Sequence, residues 1–303
     1  MFKTSIALAA FALAALGGLP RVQGLRIPWP PGLPVYDHVV IVVEENKDYE
    51  EVIGNEAAPY INGTLKAAGA NLTQMYAEEH NSEGNYFWLF SGNNQSVGYE
   101  DAIPDSQTRA DYPFRTPNLA ERLLQRGYTF RGYAEDLPSV GSTVDRAGLY
   151  ARKHVPWISF ANIPQGPNAD SSVNLQFLQF PDDFTKLPTV TFVIPNLIDD
   201  MHDRSDTAAV AVRNGDDWLR THLDAYYRWA RDHNSLLVLT FDENDDTGHA
   251  LGLTDPASDD KSIRNRIPTI LAGAHVKPGD YPEGRGMTHV NLLRTLEAMY
   301  GLT

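Results

Sequence analysis

The 303-residue sequence predicts an α/β fold, a mainly parallel sheet with helices on both faces. Short, continuous, β-branched runs recur along the chain, the pattern of strands buried on both faces. Helical stretches separate these runs and supply the crossovers that parallel strands require. With 42% hydrophobic and 10% aromatic residues, the chain has enough apolar surface for the core of one large domain.

The strand-like runs are residues 39–43, 129–134, 189–194, 236–241 and 267–272. Between them, Leu119–Gln125 follows the candidate cap Asn118, and in 216–231 the residues Leu219, Leu223, Tyr226 and Ala230 share one helical stripe. A last helix over 290–300 stops at Gly301. The segment 136–183 is rich in Pro, Gly, Ser and Asn with little periodicity, and is expected to form a loop-rich cap over the sheet edge.

Ahead of these elements stand Lys3, an apolar run over 6–16, and the small residues Gly17 and Gly18 with Pro20. This is a secretory signal pattern, so residues 1–24 are read as a signal peptide and 25–303 as the mature domain, secreted or periplasmic. The apolar run is about half of the ~20 residues that cross a bilayer, which argues against stable membrane insertion. The absence of cysteine excludes disulfides, thiol catalysis and cysteine-ligated zinc. A net charge of -14 opposes binding to nucleic acid or anionic membranes.

In an open parallel sheet, ligands bind beyond the carboxyl ends of the strands, and here those ends are acidic. The first run leads into Glu44, Glu45 and Asn46, the third into Asn196, Asp199 and Asp200, and the fourth into Asp242, Glu243 and Asn244. Carboxylates gathered on one rim repel unless a cation or protons lie between them. Glu45, Asn46, Asp242 and Glu243 are therefore the candidate ligands of one divalent cation, and oxygen donors favour Ca²⁺, Mg²⁺ or Mn²⁺ over zinc. An EF-hand starting at Asp242 fails, because its sixth position is Thr247 and its twelfth Leu253.

His80, Asn81, Ser82, Glu83, Gly84, Asn85 and Tyr86 precede an apolar helical stretch, so Ser82 is placed at a helix start, where free N–H groups favour an anion. With these residues in place, the chain from about His38 onward resembles the acid phosphatase and phospholipase C type phosphoesterases, relatives of the alkaline phosphatase superfamily. Glu45 and Asn46 match the family's metal-binding Glu-Asn. Ser82, Glu83, Gly84 and Asn85 match its nucleophile motif, with Gly84 in place of the usual proline. Pro195, Asn196 and the element Asp200, Met201, His202 and Asp203 match a further motif. Asp242 and Glu243 match its second acidic pair, and His289 with residues 292–295 its C-terminal helix.

The resemblance implies an alkaline phosphatase-like three-layer sandwich and a metal-dependent phosphoric ester hydrolase. On that reading Ser82 is the nucleophile of a two-step displacement through a phosphoserine. Asn85 would hold a phosphoryl oxygen, and His202 or His289 would protonate the leaving group. Gly84 predicts a looser turn at Ser82, and Glu83 sets a negative charge beside it. The expected activity is an acid phosphatase acting on small phosphate monoesters. The alternatives are a phospholipase C-like phosphodiesterase and a non-catalytic metal- or phosphate-binding protein. The sulfatase motif, a Gly-x-Ser-x-Gly elbow and a P-loop are all lacking.

Overall fold

The seven residues His38–Glu44 form β1, and every residue from Val39 to Glu44 is buried, as a central parallel strand requires. The computed structural model describes residues 33–98, 101, 103–202, 207–245, 265–282 and 286–302. The predicted signal segment 1–24 lies outside them, as do Asp203, Thr247 and Leu253.

After β1 come β2 (Ala70–Leu72), β3 (Met75–Tyr76), β4 (Phe130–Ala134), β5 (Arg146–Ala147) and β6 (Tyr150–Ala151). They are followed by β7 (Asn174–Gln176), β8 (Val190–Ile194), β9 (Ser235–Phe241), β10 (Thr269–Gly273), β11 (Gly279–Tyr281) and β12 (Met287–Thr288). The α-helices are α1 (Tyr49–Val52), α2 (Ser82–Ser91), α3 (Leu119–Gln125), α4 (Ala208–Asp232) and α5 (His289–Met299).

Among the described residues the main sheet has eight strands in the order β11-β2-β10-β9-β1-β8-β4-β7. The stretch from β9 to β7 is parallel, and β10 runs antiparallel to both β9 and β2. The run at 267–272 thus supplies an antiparallel strand to a mainly parallel sheet, a common mixture. Helices cover both faces. On one face Phe90 of α2 meets Phe130, Phe192, Trp157 and Phe160 in edge-on or tilted contacts. Truncating one such buried ring to alanine typically costs about 3–5 kcal/mol. The helix α4 packs on β9 and β10, and its Tyr226 hydroxyl donates to the Leu236 carbonyl at 3.0 Å.

The helix α4 begins eight residues before the predicted start at 216, behind Thr207, whose hydroxyl oxygen accepts from Val210 N at 3.3 Å. The helix runs through Asn214 and Gly215, and Gly215 is where it crosses the 199–201 turn. A Cβ there would lie 2.5 Å from Met201 Cε and 3.0 Å from the Asp199 carbonyl. The segment 136–183, expected as a cap, contributes β7 to the sheet edge and buries Trp157, Ile158 and Phe160 in the common core.

Candidate active site

The register of β1 against β9 pairs Glu44 with Phe241, so the next residues of both strands leave the sheet side by side. Backbone bonds hold them there: Asp242 N donates to the Glu44 carbonyl at 3.0 Å, and Glu45 N to the Asp200 carbonyl at 2.7 Å. Glu45, Asp242 and Glu243 are all buried. Asn46 takes a left-handed φ of 38°, a conformation asparagine tolerates, and its N–H donates to Asp242 Oδ1 at 3.1 Å.

Ser82 is the first residue of α2 and is 1% exposed. Its Oγ lies 3.0 Å from Glu45 Oε2 and 3.2 Å from Glu243 Oε1. One hydroxyl proton cannot serve two carboxylates, so this contact leaves one acceptor unsatisfied.

The turn presenting Ser82 is held from behind. Asn85 Oδ1 accepts from the N–H groups of Glu78 and Glu79, both at 3.1 Å, and its Nδ2 donates to the Glu79 carbonyl at 2.5 Å. The Glu79 carboxylate accepts from Trp88 Nε1 at 2.9 Å and Asn94 Nδ2 at 2.8 Å, and it fills the space a Cβ on Gly84 would need. Gly84 therefore leaves no slack in this turn, since Glu79 occupies the volume that a proline would take. Gly84→Ala is expected to cost about 1–3 kcal/mol of stability through overpacking, read by urea unfolding, and Gly84→Pro at least as much. Equal stability of either variant would show that Glu79 moves aside freely.

A model of the phosphoesterase family matches residues 57–303. The chain belongs to the phosphoesterase family. It is 46% identical over 301 residues to a phosphatidylinositol-3-phosphatase of Mycobacterium tuberculosis, a match covering 97% of this chain and 86% of that one. It is 28% identical to a probable acid phosphatase of Kluyveromyces lactis, covering 86% of this chain but 58% of the yeast one. An alkaline phosphatase superfamily protein of Vibrio parahaemolyticus has a similar fold, with a TM-score of 0.60, 14% identity, and coverage of 91% and 72% of the two chains. The protein is a phosphoric ester hydrolase with the α/β fold of that superfamily.

In this phosphoesterase the other two predicted catalytic residues stand apart in character. His289, fully buried, faces two acceptors, Glu78 Oε2 at 2.9 Å from Nδ1 and the Phe241 carbonyl at 2.8 Å from Nε2. Burial pushes its pKa down, but Glu78 and that carbonyl outweigh burial and leave it raised. His202 has its backbone N–H on Asp200 Oδ1 at 2.8 Å, and its ring centroid is 6.0 Å from that of His154.

Sequence reasoning passed over Lys153 and His154, which a 3₁₀ turn over Arg152–His154 carries to the site from the poorly patterned segment 136–183. His154 stacks on Tyr86 at 5.2 Å, with Nε2 3.3 Å from Glu45 Oε1 and Nδ1 3.5 Å from Asp200 Oδ2. Tyr86 donates to Glu45 Oε1. Burial and the neighbouring Lys153 and His202 hold His154 well below the usual histidine range, hence neutral. Lys153 Nζ donates to Asp101 Oδ2 at 2.8 Å, and Asp101 Oδ1 in turn accepts from the Glu83 N–H at 3.0 Å. His80 pairs with Glu243. The only sequence signal for Lys153 and His154 was the basic run Arg152, Lys153 and His154 within the loop-rich segment.

The donor set fits a hard cation. One end of the Asn46 amide lies 2.8 Å from Glu45 Oε2 and 3.2 Å from Asp242 Oδ1. As nitrogen it donates to both. As oxygen it faces two carboxylate oxygens, an arrangement that a divalent ion relieves. Burial, then the charge of Glu243, raises Asp242 to about 7, and burial with Asp242 and Asp200 raises Glu45 well above the carboxylate range. Such shifts are the mark of carboxylates that a positive charge would relieve.

Proposed function

We propose that the protein is a secreted acid phosphatase that hydrolyses phosphate monoesters through a phosphoserine on Ser82. The observation that carries this reading is Ser82 Oγ at a helix start, 3.0 and 3.2 Å from two buried carboxylates. A divalent cation held by Glu45, Asn46, Asp242 and Glu243 would stabilise the ionised Ser82 side chain and the charge of the phosphoryl group, with Ca²⁺, Mg²⁺ or Mn²⁺ favoured over zinc by the oxygen donors.

The ionised Ser82 Oγ, its proton lost to solvent beforehand, attacks phosphorus, the ester P–O bond breaks, and the departing oxygen takes a proton from His202. Water then attacks the phosphoserine, returning a proton to His202 and releasing phosphate and the Ser82 oxygen. Lys153, near enough to Glu45 and Asp242 to act on their charge, supplies the positive charge that a phosphoryl oxygen seeks. Asn85 and His289 are assigned to positioning, because both ends of the Asn85 amide and both His289 nitrogens are engaged. Among the described residues no helix is long and apolar enough to cross a membrane. The mycobacterial relative's name supports a phosphoinositide as one monoester within reach of the site.

Acid quenching during turnover of p-nitrophenyl phosphate, followed by peptide mass spectrometry, should find phosphate on Ser82; phosphate on another residue would displace this reading. The rate should peak on the acidic side, since the leaving oxygen takes its proton from a histidine and histidines as a class lose that proton as pH rises past neutrality. A pH–rate maximum above about 8 would remove histidine as the acid.

A further inference from the structure

The first turn of α2, which carries Ser82, receives no side-chain cap bond from its own N-cap residue, Asn81. An acceptor comes instead from further along the chain. Asp101 Oδ1 accepts from the Glu83 N–H at 3.0 Å, and an anion at that end of a helix also meets the dipole favourably. The other oxygen of the same carboxylate, Oδ2, accepts from Lys153 Nζ at 2.8 Å. Asp101 thus joins the nucleophile's turn to the cationic side chain, though it is 18 residues from Glu83 and 52 from Lys153. Its backbone takes a left-handed φ of 49°, which aspartate tolerates better than most residues.

A cap alone needs no charge, since asparagine and aspartate cap helices about equally well. The charge has a second use. Lys153 is a flexible ammonium close enough to Glu45 and Asp242 for their charges to act on it. Left to those charges, it would be drawn onto the carboxylates assigned to the divalent cation and compete with that cation. Asp101 takes one of its three donors, which fixes the nitrogen's position and leaves two donors for a phosphoryl oxygen. The Glu83 carboxyl cannot take over this task at pH 7, because burial, then Asp101, raises it to about 8.

We infer that Asp101 is a positioning residue for phosphoryl transfer, holding Lys153 Nζ and the first turn of α2 in one fixed relation beside Ser82. It acts through Lys153, and its role rests on that of Lys153 as the cation facing the phosphoryl group.

The test is a double-mutant cycle on the full, metal-loaded enzyme with p-nitrophenyl phosphate. Lys153→Met should lower kcat/KM by about a hundredfold, as the loss of one charge-stabilising donor does. Asp101→Asn keeps an acceptor for the Glu83 N–H but removes the charge, and should cost about tenfold through misplacement of Lys153. In the Lys153→Met background the same Asp101→Asn change should alter kcat/KM by less than about twofold. Asp101→Glu, which restores a carboxylate, should be more active than Asp101→Asn. Wild-type turnover in Asp101→Asn would leave Asp101 as a helix cap only. Equal losses in both backgrounds, the mark of a purely structural effect, or an Asp101→Glu no better than Asp101→Asn, would overturn the inference while leaving Lys153 in its role. Full activity in Lys153→Met would instead remove Lys153 from the phosphoryl site, and the role of Asp101 with it.

Discussion

Ser82→Ala is expected to lower kcat for p-nitrophenyl phosphate by roughly a thousandfold or more, as nucleophile deletions do in hydrolases that form covalent intermediates. The reason lies in the site's geometry. Ser82 Oγ faces Glu45 and Glu243 from the first residue of α2, and alanine leaves no oxygen there. Stability should rise or stay level, because the hydroxyl is buried between two carboxylates and can donate to only one of them. The measurements are steady-state turnover and urea unfolding on the same preparation. Activity within tenfold of wild type would transfer the nucleophile's role to water and discard the phosphoserine.

Chelation with EDTA is expected to abolish turnover and to lower stability, with both restored by a divalent cation. A cation at a hundredfold excess over its Kd stabilises the native state by about 2.7 kcal/mol. The stripped protein should also acquire a pH dependence. Asp242 is raised to about 7 by burial, then by Glu243, so the folded chain binds a proton that the unfolded chain has released. Between the ordinary aspartate range near pH 4 and about pH 7, the stripped enzyme should therefore become less stable as pH rises. Bound cation keeps Asp242 ionised and flattens that slope. Urea midpoints at several pH values, with and without EDTA, give the comparison; parallel profiles would remove Asp242 from the cation site.

Much of this was legible in the linear chain. The strand at 39–43 reads as buried because nothing polar interrupts it, and the acids after it and after 236–241 read as a rim because parallel strands end together. The helix at Leu119–Gln125 carries its own cap signal, and Asn118 does accept from Glu121 N at 2.9 Å. The start of α4 was hidden, since Gly215, a weak helix former, is there for its close contact with Met201. Lys153 and His154 were hidden because a 3₁₀ turn in a Pro- and Gly-rich stretch has no periodicity to read.

Local patterning by itself determined the α/β class, the acidic strand ends and the placement of Ser82 at a helix start, because periodicity, charge and capping act over a few neighbouring residues. Which groups meet was decided only by the tertiary structure. Glu45 and Ser82 are 37 residues apart and Ser82 and Glu243 are 161 apart, yet the β1–β9 register and the seating of α2 place their oxygens 3.0 and 3.2 Å apart. The same packing engages both ends of the Asn85 amide and both ring nitrogens of His289. A side chain's chemistry depends on the partners that fold around it, and those partners come from distant parts of the chain.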